Sequence, residues 1–364
     1  MSLWRWANWL PDVPAEHRIS LGEGATPLVR SRRIGLSAGL ANLFFKLELT
    51  NPSGSYKDRF AAVGVSRLLA DGKRRCVATS SGNAGAALAA YCAAADIECI
   101  VAAIETTLPH KAAQMLAHGA KVFRVRGFGI DPVISQQVLD TLGRIGSRGQ
   151  TQLLISAYAI SPIAMAGVQT ISYELAEQAQ DLGLALRHIF SPAGGGGFTL
   201  AIARGFEVAA GAGQLSQAPR VHCVQPAGND TIASPLSQGQ ATAQAVQCTT
   251  QISGLQVPVV IDGNEVIAAC RATGGTGYLV DDESVWAAQQ RMAREEGIFC
   301  EPAAAVALAG ALAAASQGQL APDDPIVCMV TGSGFKDQAA VGRMTGGGET
   351  PEIDLRGLVA SLEK

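Results

Sequence analysis

The sequence is short of charge and has no cysteine motif, and both shortages exclude classes of protein. Charged residues make up 16% of the 364 residues, and 28 basic against 31 acidic side chains give a formal net charge of −3. Because this balance provides no basic surface for a polyanion, we expect no nucleic-acid partner. The eight cysteines form no CxxC pair, and most lie in apolar runs. They are typical of reduced, core-filling thiols in a cytoplasmic protein and predict no metal site.

Long apolar runs are also missing. No stretch approaches the roughly 18 uncharged apolar residues of a membrane span. Residues 1–6 lack the basic and then apolar pattern of a signal peptide. We therefore expect a soluble, cytoplasmic protein without a membrane partner. The 364 residues exceed the size at which one core keeps growing, so we expect two domains.

The sequence does contain an alternation of short apolar runs with helix-like segments. The predicted strands are 43–49, 76–79, 98–104, 120–125, 153–157, 187–191, 221–224 and 326–330. The predicted helices are 60–69, 86–95, 108–118, 131–147, 164–182, 198–211, 282–296 and 302–315. Apolar strands of this length between helices indicate parallel-rich sheets with both faces covered. We predict an α/β fold with two three-layer α/β/α domains.

Lys57 is the strongest candidate for chemistry. It lies in the segment 51–59, where Asn-Pro and Ser-Gly turn signals join a predicted strand to a predicted helix. Ser55 is placed to cap that helix, with Asp58 three residues later as a short variant of the capping box. The unpaired N–H groups of a first helical turn disfavour an ammonium group. A neutral lysine amine is the nucleophile that forms an imine with a carbonyl compound.

A run of four glycines follows the predicted strand 187–191. Gly194, Gly195, Gly196 and Gly197 lack Cβ atoms, so their backbone can close around an anion while the next helix contributes N–H donors. The alternative is a tight turn that only permits close packing of the helix on the strand. Four consecutive glycines exceed what packing requires, and this favours a phosphate site.

Another predicted strand ends at a polar loop, Ser80, Ser81, Gly82 and Asn83. Its hydroxyls, amides and backbone N–H groups could bind a carboxylate and orient an aromatic hydroxyl group. Ordinary capping of the next helix by Ser81 or Asn83 explains the loop at least as well.

The predicted strand 326–330 ends at Thr331, in the segment 331–334. Ligands bind at the carboxyl ends of strands in open α/β sheets, and a neutral hydroxyl there could face a heterocyclic nitrogen without requiring its protonation. Helix capping is an equally good explanation of this segment.

Other polar residues are weaker candidates. The five histidines have no ligand spacing. Asp58 with Arg59, and Lys336 with Asp337, read as local ion pairs rather than as acid–base partners. Glu301 begins a predicted helix, and it is either a favourable contact with the helix dipole or a site residue.

A phosphate site, an imine-forming lysine and a carboxylate loop together predict pyridoxal 5'-phosphate as cofactor and a small amino acid as substrate. The lysine amine is the natural base for the substrate α-proton. A dinucleotide-binding oxidoreductase is a weak alternative, because the segment 194–200 lacks the third glycine of G-x-G-x-x-G and no acid lies near residue 217. A non-catalytic cofactor-binding scaffold is a third possibility. The presence of Lys57 argues against it.

The sequence resembles the threonine synthase-type members of the tryptophan synthase β superfamily, the fold type II pyridoxal phosphate enzymes. The matching segments run nearly end to end and are residues 3–6, 21–28, 51–59, 80–83, 297–303 and 331–337. The resemblance implies Lys57 as the Schiff-base lysine, Gly194–Gly197 as phosphate ligands, Asn83 as the partner of the ring hydroxyl and Thr331 as the ring-nitrogen contact. It implies that the substrate carboxylate is bound by Ser80, Ser81, Gly82 and Asn83.

The resemblance also implies a division into domains. Residues 1–55 and 162–344 would form a larger cofactor-binding domain, residues 56–161 a smaller mobile domain, and residues 345–364 a C-terminal tail. By analogy with the family we expect a homodimer.

The substrate side of the site departs from the family. Threonine synthases usually carry Asn-Ser-x-Asn-Pro-x-Arg where this chain has residues 158–164, so that Ala164 replaces an arginine that binds the substrate phosphate. The loop 252–258 and the tetraglycine also differ from the family pattern. We predict β- or γ-elimination or replacement on a small amino acid, threonine synthase-like. A serine/threonine dehydratase-type ammonia-lyase is the alternative.

Overall fold

The fold consists of two β-sheets with helices packed on them. The computed structural model describes residues 2–80, 82–107 and 109–363. In chain order the strands are β1 (Leu28–Arg30), β2 (Leu43–Leu47), β3 (Arg75–Thr79), β4 (Glu98–Ala103), β5 (Lys121–Arg124), β6 (Thr151–Leu153), β7 (His188–Pro192), β8 (Arg220–Pro226), β9 (Gly277–Val280) and β10 (Ile326–Val330). One sheet has the order β1-β2-β10-β7-β8-β9, and the other has the order β5-β4-β3-β6.

Most of the connections between strands are helical, as parallel pairing requires. The α-helices are α1 (Ile34–Ser37), α2 (Lys57–Ala70), α3 (Asn83–Ala94), α4 (Pro109–Ala117), α5 (Pro132–Gly146), α6 (Pro162–Asp181), α7 (Gly197–Gly211), α8 (Ala233–Ser237), α9 (Gly263–Ala272), α10 (Asp282–Glu296), α11 (Pro302–Ser316), α12 (Gln338–Thr345) and α13 (Leu355–Leu362).

The strand pairing brings distant chain segments to one edge of the larger sheet. Within the described residues, the named strands pair in parallel except β1 with β2. The last strand, β10, lies between β2 and β7, and its Val327 stands opposite Phe44 and Ile189. Because parallel strands run the same way, the ends of β7 at Pro192 and of β10 at Val330 open on the same edge.

Helix α11 forms the centre of one core cluster. Its alanine-rich sequence is apolar on all sides, and residues 302–311 are all buried. A Cβ atom at Gly310 would lie 2.7 Å from the side chain of Val224, so the helix packs directly on β8. The eight cysteines are free and seven of them are buried, which agrees with core-filling thiols. Among the described residues no helix combines the length and the apolarity that a membrane span requires.

Helices α2 and α6 pack closely, and small residues permit this contact. A Cβ atom at Gly167 of α6 would lie 2.2 Å from the carbonyl oxygen of Arg59, and one at Gly64 would lie 2.9 Å from the Cβ of Ala164. Larger residues at these positions would separate the two helices. The N-terminus of α2, which carries Lys57, is therefore held firmly by α6.

A buried network of charged side chains joins the same two helices to β2. The Arg59 guanidinium donates to Glu48 at 2.7 Å and to Glu174 at 2.7 and 2.8 Å, and Lys46 donates to Glu174 at 2.9 Å. Burial alone would raise the pKa of Glu174, but Arg59 and Lys46 outweigh it and hold that pKa well below its ordinary range. The network contains two cations and two carboxylates, so its charges balance.

The sequence predicts two local ion pairs, Asp58 with Arg59 and Lys336 with Asp337, and both predictions are wrong. Arg59 faces Glu48 and Glu174, whereas the Asp58 carboxylate accepts from the backbone N–H and the hydroxyl of Ser53. Lys336 donates to Gln114, and Asp337 caps α12 by accepting from Ala340 N at 3.0 Å. Residues adjacent on a chain point in different directions at a helix start, so adjacency in sequence did not produce contact.

The predicted elements agree with the structure along most of the chain. The predicted strand 153–157 is wrong in its position, because β6 ends at Leu153 and Ile155 N donates to Ser161 Oγ instead of to a strand. Short elements at glycine-rich or irregular segments were not predicted, and these are β1, α1, α8, α9, β9, α12 and α13. Helix α13 buries none of its residues.

Candidate active site

The turn before α2 is tied to the end of β10. Gly54 adopts φ +92°, and its N–H donates to Asn51 O at 2.8 Å. Tyr56 N donates to Thr331 O at 3.0 Å, and Ser333 N donates to Gly54 O at 2.9 Å. These bonds place the start of α2 beside the carboxyl end of β10.

Lys57 is the first residue of α2, as the sequence predicts for its first turn, but the predicted capping box is wrong. Tyr56 occupies the cap position of α2. Ser55 lies one residue earlier, and its Oγ accepts a hydrogen bond from Lys57 N at 3.3 Å. Asp58 does not reach back to Ser55, because its carboxylate is bound to Ser53. Burial raises the pKa of Asp58 to about 6.

The Lys57 amine points into a large cavity and has a hydroxyl partner. Its Nζ donates to Ser156 Oγ at 2.7 Å and lies 4.5 Å from the centre of the Tyr56 ring. The Tyr56 ring in turn packs on Phe198, with ring centres 4.3 Å apart. The sequence does not single out Ser156, because it falls inside the predicted strand 153–157. A polar residue just beyond a strand end was the signal available.

The tetraglycine turn lies between β7 and α7 and lines the same cavity. Gly196 adopts φ +94°, which an L-residue with a side chain rarely does. A Cβ atom at Gly196 would lie 2.6 Å from Val266, and one at Gly197 would lie 2.9 Å from Asp262 Oδ2. On the side of the turn that faces Val266 and Asp262, close packing thus explains the glycines. On the other side, the unpaired N–H groups of the first turn of α7 are suited to an anion.

The polar loop between β3 and α3 also reaches the cavity. Ser80, Gly82 and Asn83 line it, whereas Ser81 lies outside the described residues. Ser80 Oγ accepts from Gly82 N at 3.2 Å and from Gly85 N at 2.9 Å, so this hydroxyl stabilises the helix start. Asn83 Nδ2 donates to both carboxylate oxygens of Glu301, at 2.8 and 3.1 Å.

Glu301 lines the cavity. The sequence alone did not decide between a site residue and a contact with the helix dipole. Its side chain does not cap α11. A Cβ atom at Gly332 would lie 2.2 Å from Glu301 Oε1, so a glycine is needed beside the carboxylate. Burial raises the pKa of Glu301 to about 7, although the hydrogen bonds from Asn83 act in the opposite direction. This acid therefore changes its charge close to neutral pH.

Thr331 lines the cavity at the end of β10 and is 4% exposed. Helix capping was the alternative explanation of the segment 331–334. That role belongs to Ser333, whose Oγ accepts from Phe335 N at 3.4 Å. Thr331, the tetraglycine turn, Lys57 and Asn83 thus face one cavity of about 700 Å³. No histidine is among the described residues that line it.

Position 164 does not offer a cation to this cavity. Ala164 is 1% exposed and packs between α6 and α2, against Gly64. An arginine side chain could not replace its methyl group without moving α2 away from α6.

The sequence profile of the family described as "Pyridoxal-phosphate dependent enzyme" matches residues 19–332. This chain belongs to that family. It is 33% identical over 343 residues to the threonine synthase of Methanosarcina acetivorans, covering 93% of this chain and 81% of the relative. It is 31% identical over 342 residues to the threonine synthase of Methanocaldococcus jannaschii, covering 93% and 82%. Processed threonine deaminase isoform 2 from Solanum lycopersicum has a TM-score of 0.73 at 20% identity, covering 96% of this chain and 94% of that one.

The predicted fold, cofactor and enzyme class are therefore confirmed. The fold is that of the fold type II pyridoxal phosphate enzymes, and the cofactor of this family member is pyridoxal phosphate. The donor set of the cavity fits that group. Lys57 offers an amine to an aldehyde, the first turn of α7 offers N–H groups to a phosphate, and Thr331 and Asn83 offer polar groups to a pyridine ring.

Proposed function

We propose that this pyridoxal phosphate enzyme is threonine synthase-like and eliminates or replaces a β or γ substituent on a small amino acid. Conversion of O-phosphohomoserine and water to threonine and phosphate is the first candidate reaction. The observation that carries the proposal is one cavity that contains an amine, an anion-binding glycine turn and a polar loop for a carboxylate. The similarity to threonine synthases supports it.

We assign the cofactor contacts as follows. Lys57 Nζ would hold the aldehyde carbon, and Gly194–Gly197 would bind the phosphate through backbone N–H groups. Thr331 would contact the ring nitrogen, and Asn83 would contact the ring hydroxyl. When bound, the cofactor supplies an electron sink for the negative charge left at the substrate α-carbon.

The remaining steps depend on side chains of this chain. The Lys57 amine, released from the cofactor by the substrate, would take the α-proton. Ser156 Oγ, 2.7 Å from Lys57 Nζ, orients that amine. The carboxylate of the substrate would be held by Ser80, Ser81, Gly82 and Asn83.

An ammonia-lyase acting on serine or threonine is the second candidate. The packing of Ala164 against Gly64 favours it, because the arginine that binds the substrate phosphate in threonine synthases has no counterpart there. This reaction needs no phosphorylated substrate.

One assay separates the two candidates. Purified holoenzyme is incubated with O-phosphohomoserine, serine, threonine and O-acetylated analogues, and phosphate, threonine, ammonia and keto acid are measured. Phosphate release with threonine formation supports the first candidate, and ammonia with keto acid from serine or threonine supports the second. Lys57→Ala should abolish either activity and the absorbance of the covalently held cofactor. Activity retained in Lys57→Ala would refute both candidates.

We further propose the domain division expected from the resemblance. The six-stranded sheet belongs to residues 1–55 and 162–344, and residues 345–364 form a tail. The four-stranded sheet belongs to a mobile domain of residues 56–161, in which helix α2 is the part anchored to the larger domain through Arg59 and Glu174. A homodimer in the cytoplasm, acting on a small amino acid, is the assembly and location that we propose.

A further inference from the structure

Two buried histidines contact each other in the larger sheet, outside the described lining of the cavity. His188 begins β7, and His222 lies on the neighbouring strand β8. Their ring planes are 13° apart, and His188 Nδ1 lies 2.9 Å from His222 Nε2. At this distance one of the two nitrogens must donate a proton and the other must accept it.

A backbone group just before β9 decides which nitrogen is the donor. Thr276 N donates to His222 Nδ1 at 3.1 Å. A ring nitrogen that accepts a hydrogen bond carries no proton, so a neutral His222 carries its proton on Nε2. His222 Nε2 is therefore the donor to His188 Nδ1.

The other ring nitrogen of His188 faces a carboxylate. His188 Nε2 lies 3.3 Å from Asp324 Oδ2. Because Nδ1 of this ring accepts, the proton of a neutral His188 is on Nε2 and points at Asp324. The hydrogen bonds thus run in one direction, from Thr276 N through both rings to the carboxylate. We call these four residues, Thr276, His222, His188 and Asp324, the histidine chain.

The histidine chain has no place for a further proton. A proton on His222 Nδ1 would face the N–H of Thr276, and a proton on His188 Nδ1 would face the N–H of His222. In both cases two donors would meet inside the protein, where an unpaired donor is unfavourable. Both rings therefore stay neutral as long as the chain of hydrogen bonds is intact.

The charged neighbours act on the pair in both directions. Asp324 favours a proton on the ring that it contacts, whereas Arg187 and Arg220 oppose it. Tyr278 of β9 is a further titratable neighbour, with its ring centre 5.4 Å from that of His222. Burial is the largest influence, and it lowers the pKa of both histidines, that of His222 to about 3.

A metal ion is not the reason for the short contact between the rings. Within the parts of the chain that the structure describes, no three histidine, cysteine or carboxylate side chains are grouped to hold a metal ion. The contact is therefore a hydrogen bond.

The two strands that the histidine chain joins also carry the glycine turn. Strand β7 ends at Pro192, two residues before Gly194. Gln225 of β8 donates to Gly194 O at 3.1 Å. The ring of His222 packs on Phe190 of β7, with ring centres 4.8 Å apart. The pair thus lies at the base of the strands that support the turn.

We propose that the histidine chain is an acid-sensitive switch in the larger sheet, closed while both rings are neutral and opened when the pair takes up a proton. In the opened or unfolded chain each histidine titrates near its ordinary pKa of 6.5. The folded pKa values lie below that value, so the stability that the pair provides is present above pH 6.5 and is lost as pH falls below it. This switch does not depend on which reaction the enzyme catalyses.

Nitrogen NMR of holoenzyme labelled in its five histidines tests the arrangement directly. Protonated and unprotonated ring nitrogens differ in chemical shift, so the spectrum shows which nitrogen carries the proton. We expect His188 and His222 to remain neutral, with the proton on Nε2, from about pH 8 to about pH 5.5. Spectra of His188→Gln and His222→Gln assign the signals.

The pH dependence of stability tests the switch. The double variant His188→Gln with His222→Gln keeps one donor and one acceptor at each position but cannot take up a proton near neutral pH. Between about pH 7.5 and pH 5.5, the unfolding constant of the wild type should rise at least about tenfold relative to that of the double variant. Denaturant unfolding provides these constants. His118→Gln, at an exposed position, is the control and should follow the wild type.

Two outcomes overturn the proposal. One is the same pH dependence of the unfolding constant in the wild type and in the double variant. The other is an NMR spectrum in which either buried ring of the folded protein carries two protons in this range, or in which His222 carries its proton on Nδ1. If the double variant does not fold, the NMR titration of the wild type decides alone.

Discussion

At the scale of single residues, the site depends on side chains that hold Lys57 rather than on Lys57 alone. Tyr56, the residue before it, is tied to Thr331 through the backbone, and its ring packs on Phe198. The amine itself has Ser156 as its hydroxyl partner. Because the chain on either side is fixed, the amine has a defined position before any substrate arrives.

Ser156→Ala tests this positioning. Removing the hydroxyl leaves the amine without its 2.7 Å partner, and we expect kcat to fall about 10- to 100-fold with a smaller change in KM. The absorbance of the bound cofactor should shift as well, because the amine is less well oriented. The control is Ser147→Ala, at an exposed helix end. An unchanged kcat and spectrum would show that Ser156 does not orient the amine.

Glu301→Gln tests the buried acid beside Asn83. Since burial raises the pKa of Glu301 to about 7, it is neutral below pH 7 and charged above. The absorbance of the bound cofactor should therefore show a step near pH 7 in the wild type and none in the variant. Glu296→Gln, away from the cavity, should retain the step. A step that persists in Glu301→Gln would assign the titration to another group.

Because burial raises the pKa of Glu301, we also expect the stability of the protein to depend on pH. The folded pKa of Glu301 lies above its unfolded value of 4.5, so its contribution to stability is present below pH 4.5 and is lost as pH rises to 7. The loss is about 3 kcal/mol over that range. The free energy of unfolding of Glu301→Gln, measured with denaturant, should lack this decrease.

At the scale of single elements, the glycine turn combines two requirements. Gly196 precedes the first residue of α7 and adopts a positive φ there, and its lack of a Cβ atom leaves room for Val266. The same geometry leaves the N-terminus of α7 open to the cavity. Close packing behind the turn therefore produces a helix start that is suited to an anion.

Gly196→Ala should harm both functions of this turn. We expect a loss of about 1–3 kcal/mol in the free energy of unfolding, because the φ of +94° is unfavourable and the new Cβ atom meets Val266. Affinity for pyridoxal phosphate should fall in parallel. Gly211→Ala, at the other end of α7 and without a neighbour within 4 Å, is the control and should be neutral or slightly stabilising. Equal effects of the two substitutions would contradict this account.

At the scale of the whole molecule, the buried charge network joins the two helices that support the site. Arg59 lies two residues after Lys57 and is bound to Glu174 of α6 and to Glu48 after β2. Breaking a buried pair leaves an uncompensated charge, which is far more costly than losing an exposed pair. The network therefore fixes α2, and with it the lysine, to the larger sheet.

Arg59→Ala should lower the free energy of unfolding by on the order of 3–5 kcal/mol. Arg67→Ala on the same helix is the matched control. Its pair with Asp71 is exposed, so the loss should stay below about 1 kcal/mol. Denaturant unfolding of the two variants provides the measurement. A small loss in Arg59→Ala would mean that water or other groups satisfy the two carboxylates.

The sequence by itself determined the elements, the lysine turn and the glycine turn, because turn residues and apolar periodicity act over a few neighbouring positions. It predicted α10 and β10 with their bounds, and it placed Lys57 in a first helical turn. Where it inferred contacts from adjacency, as for Asp58 with Arg59, it failed.

Only the tertiary structure decided which side chains meet in the cavity. Asn83 and Glu301 are 218 positions apart, and Lys57 and Ser156 are 99 apart, so no local pattern links them. The Thr107 hydroxyl has no hydrogen-bond partner in the described part of the chain, and this too became visible only when its surroundings were known. The physical reason is that hydrogen bonds and burial depend on distance in space, which the packing of two sheets sets, and not on spacing along the chain.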